Sequence, residues 1–387
     1  MTQPRTAGLF AIGGFYFCYF AFTGLFQPFW GVYLAALSFP AWQIGILTSL
    51  TQINRIYAPV AWGWLADHTG RRSLILRVAG AGAVAGFVFL PFVHGFGGIL
   101  AAVLFATFFW SAALPLVEAL TMNLLKGDGG RYARLRVWGS IGFIVTSIVG
   151  GYWMQAFGIQ VLPWTVLGVM CGLAAYACLL PKAPAQAHAH ERAAGFGEIM
   201  ARREVQVVFG CCFLMLLSHG PYYSFYSIFV TDLGVAKSSV GWLWALGVTA
   251  EVCVFLSMPW LTARWSTRQL FLSCFLVATG RWLLIAFSGG HLALLLLAQL
   301  GHAWTFAICH ATGMSYVHRH FAGPHQGKGQ ALYIGASFGL GGSLGGVLAG
   351  AAWVPLGGTS CFLIAAGIAL LGWLVARAGL REPPQAA

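Results

Sequence analysis

The chain has 387 residues, 59% of them hydrophobic and only 8% charged. A soluble domain carries roughly 25% charged residues, so this composition excludes a soluble surface and points to a membrane protein. The formal charge of +12 would suit a nucleic-acid binder, but the basic residues sit in short gaps between apolar runs, which excludes that partner.

A spanning helix needs about 20 mostly apolar residues. Lipid offers the backbone no hydrogen-bond partners, so long apolar runs mean helices. Twelve spans are predicted, near 8–35, 42–66, 73–93, 97–124, 137–157, 161–180, 205–232, 239–262, 270–288, 291–317, 331–353 and 357–377. The first run is too long for a signal peptide and lacks a small-residue cleavage site, so it reads as the first span. The stretch PKAPAQAHAHERAAGFGEIMARRE from Pro181 is Ala-rich and charged. It is the natural linker. The expected organisation is a six-helix bundle over 1–180, a cytoplasmic linker over 181–204 and a second six-helix bundle over 205–387. Fifty-one glycines fit close helix approach in a bilayer. The nine cysteines all fall in apolar segments and read as small packing residues.

Lys and Arg set the orientation. With the N-terminus inside, Arg71, Arg72, Arg77, Lys126, Arg131, Arg134, Arg136, Arg192, Arg202, Arg203, Arg264, Arg268, Arg319 and Lys328 come to the cytoplasmic side, and Lys237 alone falls in an outer loop. Both termini are therefore expected in the cytoplasm.

An ungapped offset of 196 residues lays the second half over the first. FQPFWGVYL from Phe26 meets YYSFYSIFV from Tyr222, and WQIGILTSL from Trp42 meets SSVGWLWAL from Ser238. GWLADHTGRR from Gly63 meets PWLTARWSTR from Pro259, and Gly139 meets Gly335. One register over four separate places argues for a duplicated unit, and duplicated membrane units are the usual frame of a transporter.

GWLADHTGRR follows the second span. Its glycines allow helix ends to approach, Asp67 can meet a helix N-terminus or an arginine, and the basic pair holds the loop cytoplasmic. Through Gly63, Leu65, Asp67, Gly70, Arg71 and Arg72 it resembles the signature loop of the major facilitator superfamily. The resemblance implies an all-α fold of twelve spans in two pseudo-symmetric halves, with this loop latching one conformational state. The stretches FYFCYFAFTGLFQPFWGVYL and WQIGILTSLTQINRIYAPVAWGWLAD resemble the 3-phenylpropionate permease branch. RLRVWGSIGF from Arg134 resembles that branch and the neighbouring nucleoside:proton symporters. The copy of the loop at Pro259 keeps Leu261 and Arg268 and lacks the acid.

An ionisable group at bilayer depth costs about 2.5–3.5 kcal/mol or more, so it needs a partner or a watery cavity. Four stand out: Arg55, Glu118, Glu251 and Arg281. The repeat register carries Arg55 onto Glu251, each about halfway along its span. Arg55 can hold a carboxylate by a bidentate pair or form a structural salt bridge, with Glu118 for example. Glu251 is the proton-site candidate, because desolvation disfavours the charged carboxylate and makes proton uptake and release accessible. The resemblance to nucleoside and sugar symporters supports that role. Arg281 can pair with Glu251 and respond to its protonation. Glu118 is a second carboxyl on the path or a partner of Arg136.

His302, Phe306 and His310 recur every four residues on one helical face. Such histidines can relay protons or serve as neutral hydrogen-bonded packing residues. His219 also lies in a span. His188, His190, His318, His320 and His325 are read as solvated loop residues without zinc spacing. No metal or other cofactor is expected.

Spans one and seven carry Phe26, Trp30, Tyr223 and Tyr226, each near a proline (Pro28 and Pro221) able to bend its helix. The resemblance implies that spans one, four, seven and ten surround the cavity. There these rings could stack on an aromatic substrate or form an interfacial belt. The expected function is proton-coupled uptake of a small aromatic carboxylate, such as 3-phenylpropionate, by alternating access. The expected agent is a monomer in a bacterial inner membrane, with substrate, protons and lipid as partners. Nucleoside:proton symport is the alternative, with Arg55 structural. Drug antiport is disfavoured because SIGFIVTSIVGG from Ser140 lacks the Gly-Pro of the antiporter motif. An enzyme would need a nucleophile–base or metal cluster, and none is evident. A non-transporting receptor would be expected to carry a sizeable soluble domain.

Overall fold

The computed structural model describes residues 6–181, 195–321 and 323–381. His188, His190 and Arg192 lie outside the described residues, as does the side chain of Asp67. No strand occurs among the described residues. The helices are α1 (Thr6–Ala36), α2 (Ala41–Thr69), α3 (Arg72–Phe87), α4 (Phe96–Leu124), α5 (Gly129–Phe157) and α6 (Leu162–Leu179). They continue with a short α7 (Phe196–Ala201), α8 (Arg203–Ser218), α9 (Gly220–Asp232), α10 (Lys237–Thr262), α11 (Thr267–Ala286), α12 (Leu292–Ala303), α13 (Cys309–His320), α14 (Gln326–Ile334) and α15 (Gly342–Gly379).

Among the described residues, ten helical stretches are long and apolar enough to cross a membrane. One of them, Gln326–Gly379, runs 54 residues. At 1.5 Å per residue that far exceeds a hydrocarbon core of about 30 Å. It breaks at Gly357, whose φ of 78° is incompatible with a continuing helix, and so holds two spans. The helix missing from the ten is α2, where Gln43, Gln52, Asn54 and Arg55 dilute the apolar run. With α2 and the divided stretch the long helical segments number twelve, the all-α architecture expected.

Local chemistry explains the departures. Helix α5 begins at Gly129, eight residues before the predicted span, because Asp128 caps it by accepting from the Arg131 backbone N–H at 3.0 Å. Arg131, Arg134 and Arg136 are thus helical. Lys237 lies in the first turn of α10 rather than in a loop. Span seven divides at His219: α8 stops at Ser218, and Pro221 occupies the opening turn of α9, where its missing N–H is harmless. Span ten contains a π-turn at Trp304–Ile308, and span eleven another at Gly335–Gly341. Neither leaves a propensity signal in the sequence.

The chain forms two compact units. The first comprises Met1–Ala189 with Val235–Ala245, the second His190–Gly234 with Leu246–Ala387. In the first, α1 packs on α5 and α6, while α4 packs on α2 and α3. In the second, α8, α9 and α11 pack on α15. Small residues make these approaches possible. A Cβ on Gly24 of α1 would lie 2.5 Å from the Phe143 carbonyl oxygen, and one on Gly220 of α9 2.1 Å from the Gly345 backbone.

Candidate functional site

In the first unit, the buried Asn54 fastens α2 to α4. Its amide donates to Leu104 O at 2.9 Å and to Thr107 Oγ1 at 2.6 Å. That contact directs the next residue, Arg55, along the neighbouring face. Arg55 opens into a small cavity with Phe22, Thr23, Phe26 and Gln27 of α1, Thr51 and Gln52 of α2, and Trp110 of α4. Its guanidinium carbon lies 6.0 Å from the Trp110 ring centroid. No carboxylate pairs with Arg55 among the described residues, and the expected alternative of a bridge to Glu118 is not what the geometry shows. Gln52 Oε1 is buried there without a hydrogen-bond partner among the described residues. The cavity volume is about 20 Å³, room for about one water molecule.

The aromatic residues divide by depth. Phe26 lines the cavity. Trp30 stands behind it, stacked on Phe26 at 4.6 Å and on Tyr33 at 5.5 Å, with Nε1 donating to Leu47 O at 3.4 Å. Trp30 is a packing residue in this arrangement and not a lining one.

Glu118 belongs to a separate cluster. Its Oε1 lies 3.6 Å from Arg136 Nε and accepts from the Tyr132 hydroxyl at 3.2 Å. Arg136 in turn lies 4.1 Å over the Phe20 ring. Of the two readings left open for Glu118, the pair with Arg136 is the one formed. Both side chains are about a third exposed.

In the second unit, Glu251 of α10 meets His302 of α12, Oε1 to Nε2 at 2.8 Å. The side chains are 14% and 6% exposed, so the acid is held in a nearly dry setting. His302 Nδ1 is buried without a partner among the described residues. Arg281 of α11, 2% exposed, makes no ion pair among the described residues. It lies 4.1 Å from the Tyr222 ring centroid and 4.4 Å from that of Trp282, and Nε donates to Ala298 O at 3.0 Å. Its Nη1 lies 3.4 Å from His219 Nε2 and 3.5 Å from Thr305 Oγ1. His219 Nδ1 faces Met215 O at 2.8 Å. A carbonyl only accepts, so Nδ1 carries the proton and Nε2 presents its lone pair to the arginine. Tyr222 donates to Gln299 Oε1 at 2.9 Å.

Tyr223 and Tyr226 join this cluster, Tyr223 stacked on His219 at 5.6 Å and Tyr226 lying 5.0 Å from Tyr222. The π-turn, bonded i→i+5, helps keep residues four apart in one column. Phe306 stacks on His302 at 5.6 Å and on His310 at 6.5 Å, and His310 Nδ1 meets the Tyr333 hydroxyl at 3.3 Å. Sequence reasoning singled out no role for Tyr222, His219 or Gln299. The repeat register held a signal for the first two, since Phe26 and Thr23, both lining the first unit's cavity, are their counterparts.

The loop after α2 is a helix junction. Gly70 takes a φ of 64° and its N–H returns to Ala66 O, ending α2, while Arg71 precedes α3. A Cβ on Gly63 would meet nothing within 4 Å, so close approach is not the demand there. His318 and His320 lie on α13 rather than in a loop. His320 Nε2 sits 3.3 Å from Glu204, and Arg319 3.7 Å from the same carboxylate, so the solvated reading of His320 is corrected. No group of metal-ligating side chains forms among the described residues.

A model of the MFS_1-like family matches residues 9–364. The chain is 30% identical over 307 residues to a probable 3-phenylpropionic acid transporter of Escherichia coli strain K12, spanning 78% of this chain and 80% of that one. It is 24% identical over 349 residues to the putative nucleoside transporter YegT of the same strain, spanning 85% and 81%. The solved structure of the nucleoside transporter NupG superposes with a TM-score of 0.85 at 16% identity, covering 97% of this chain and 99% of that one. At that identity the likeness shows the fold.

Proposed function

The chain belongs to the MFS_1-like family and is an integral membrane transporter of the major facilitator superfamily rather than an enzyme; from that premise we propose proton-coupled uptake of a small aromatic carboxylate by alternating access. The observation that carries the reading is Arg55: a cation without a carboxylate among the described residues, in a cavity walled by Phe22, Phe26 and Trp110. A substrate carboxylate supplies the missing counter-charge through a bidentate pair. The cavity holds about one water molecule in this structure, so binding the carboxylate and its ring involves its widening within the alternating-access cycle. The name of the 30%-identical relative agrees with this chemistry.

Glu251 is the proposed proton site. A buried acid facing an imidazole at 2.8 Å can exchange a proton within one hydrogen bond. Arg281, held between two aromatic rings, adds positive charge nearby, with His310 at the far end of the aromatic column. Gly63, Asp67, Gly70, Arg71 and Arg72 are assigned to the conformational cycle, and both termini to the cytoplasmic side of a bacterial inner membrane.

A second reading, nucleoside symport, is favoured by the Glu118–Arg136–Tyr132 cluster. A balanced, partly exposed pair suits hydroxyl-bearing neutral ligands better than anions. Uptake of labelled 3-phenylpropionate into proteoliposomes, with and without an inward proton gradient, separates the two. Gradient-driven accumulation supports the aromatic acid. Uptake of uridine with none of the acid supports the nucleoside and returns Arg55 to a structural role.

A further inference from the structure

Away from these clusters, the surface of the second unit carries an apolar groove of about 420 Å³. Its walls are Cys253, Ser257, Trp260 and Leu261 of α10 and Trp304 of the π-turn. Trp304 is fixed by its Nε1, which donates to Ser273 Oγ at 2.8 Å. The flanking face is apolar and open: Leu256 is 78% exposed, and Phe255 and Trp260 are exposed as well. On a membrane-spanning helix such a face meets acyl chains. One turn beyond Trp260, Arg264 lays its guanidinium 4.2 Å from that ring's centroid, with Nη1 3.5 Å from Trp260 O. No carboxylate pairs with Arg264 among the described residues.

The internal repeat explains why the groove exists. The register places Trp260 over Trp64, Arg264 over His68, Trp304 over Phe108 and Cys253 over Tyr57. In the first unit His68 packs on Trp64 at 4.1 Å, with Nδ1 3.0 Å from Trp64 O, an imidazole version of the Arg264–Trp260 arrangement. There the Tyr57 ring stacks on Phe108 at 6.0 Å, a ring-on-ring contact that Cys253 cannot make with Trp304. The second unit has a thiol where the first has a phenol, and the groove lies beside it.

We propose that this groove binds one anionic phospholipid of the surrounding bilayer, with an acyl chain between Trp260 and Trp304 and the phosphate on Arg264. The volume lies in the range of specific ligand sites, its walls suit a hydrocarbon chain, and the cation at its end suits a phosphate. A zwitterionic lipid offers the same chain without the net negative charge, so headgroup preference distinguishes a site from general lipid contact.

Native mass spectrometry of the intact protein, titrated with phosphatidylglycerol or phosphatidylethanolamine of matched chains, tests the assignment. The wild-type protein should retain one phosphatidylglycerol with about fivefold preference, the worth of one basic residue at an anionic surface. C253Y, which restores the filling ring, should lose that lipid, while C253A should keep it. R264Q should bind both headgroups equally. Equal retention of the two lipids by the wild-type protein, or undiminished phosphatidylglycerol binding by C253Y, would reduce the groove to ordinary annular contact and overturn the proposal.

Discussion

Positions 55 and 251 occupy the same register in the two halves, each midway along its helix, yet the units built around them differ. Around Arg55 stand three aromatic rings, Phe22, Phe26 and Trp110, together with the polar Thr23, Gln27, Thr51 and Gln52, and no carboxylate pairs with it among the described residues. Around Glu251 the second unit assembles His302, and nearby a polar network of Arg281, His219, Gln299, Thr305 and Tyr222. The difference teaches that a shared register can keep helix positions while the side chains around them diverge, and the tasks proposed for the two halves diverge with them. In the proposed function, Arg55 among these rings and amides takes the substrate anion. In the same proposal, the Glu251 carboxyl facing His302 takes the proton.

The comparison breaks first at Glu251. E251Q should abolish accumulation driven by a proton gradient while leaving counterflow exchange of 3-phenylpropionate intact, measured in proteoliposomes. Normal uphill uptake would remove the proton task from the second unit. R55Q should lower uptake efficiency for the acid about 100-fold, the scale of a lost buried charge pair, and R55K should not restore it because an ammonium lacks the planar fork. Unchanged transport kinetics in R55Q would leave the first unit without its anion task.

A third test addresses what duplication preserved. Gly24 and Gly220 share a register, and each sits against the backbone of a neighbouring helix. G24A and G220A should each cost about 1–3 kcal/mol, read as a lower unfolding midpoint in detergent. G220A should be the worse, since its Cβ would come nearer to backbone. A tolerated alanine at either position would show that the halves do not share this close approach. The smallest effect is expected from E118Q, less than about threefold on aromatic-acid uptake, because the pair with Arg136 is partly exposed. A larger loss confined to uridine would sharpen the case for the nucleoside reading.

Much of the architecture was legible because hydropathy is a local property. Span positions came within a few residues in most cases, and the misses have local causes. The Asp128 cap began α5 eight residues before its expected start, whereas α2, expected near 42–66, runs over Ala41–Thr69 despite its polar residues. The site was legible only in part. Arg55, Glu251, Arg281 and His302 announced themselves as charged or titratable groups in apolar runs. Trp30 looked like a lining residue and turned out to be packing behind Phe26. Tyr222 and Gln299, to which the sequence reading gave no role, are hydrogen-bonded to each other beside Arg281.

The sequence by itself determined the membrane environment, the twelve helices and the repeat, because each follows from residue type along one dimension. Only the tertiary structure decided the partners: Glu118 with Arg136, Glu251 with His302 rather than Arg281, and His320 with Glu204. Pairing depends on which helix faces which, and on breaks such as the Ser218–Gly220 junction and the Trp304–Ile308 π-turn that rotate side chains without changing composition.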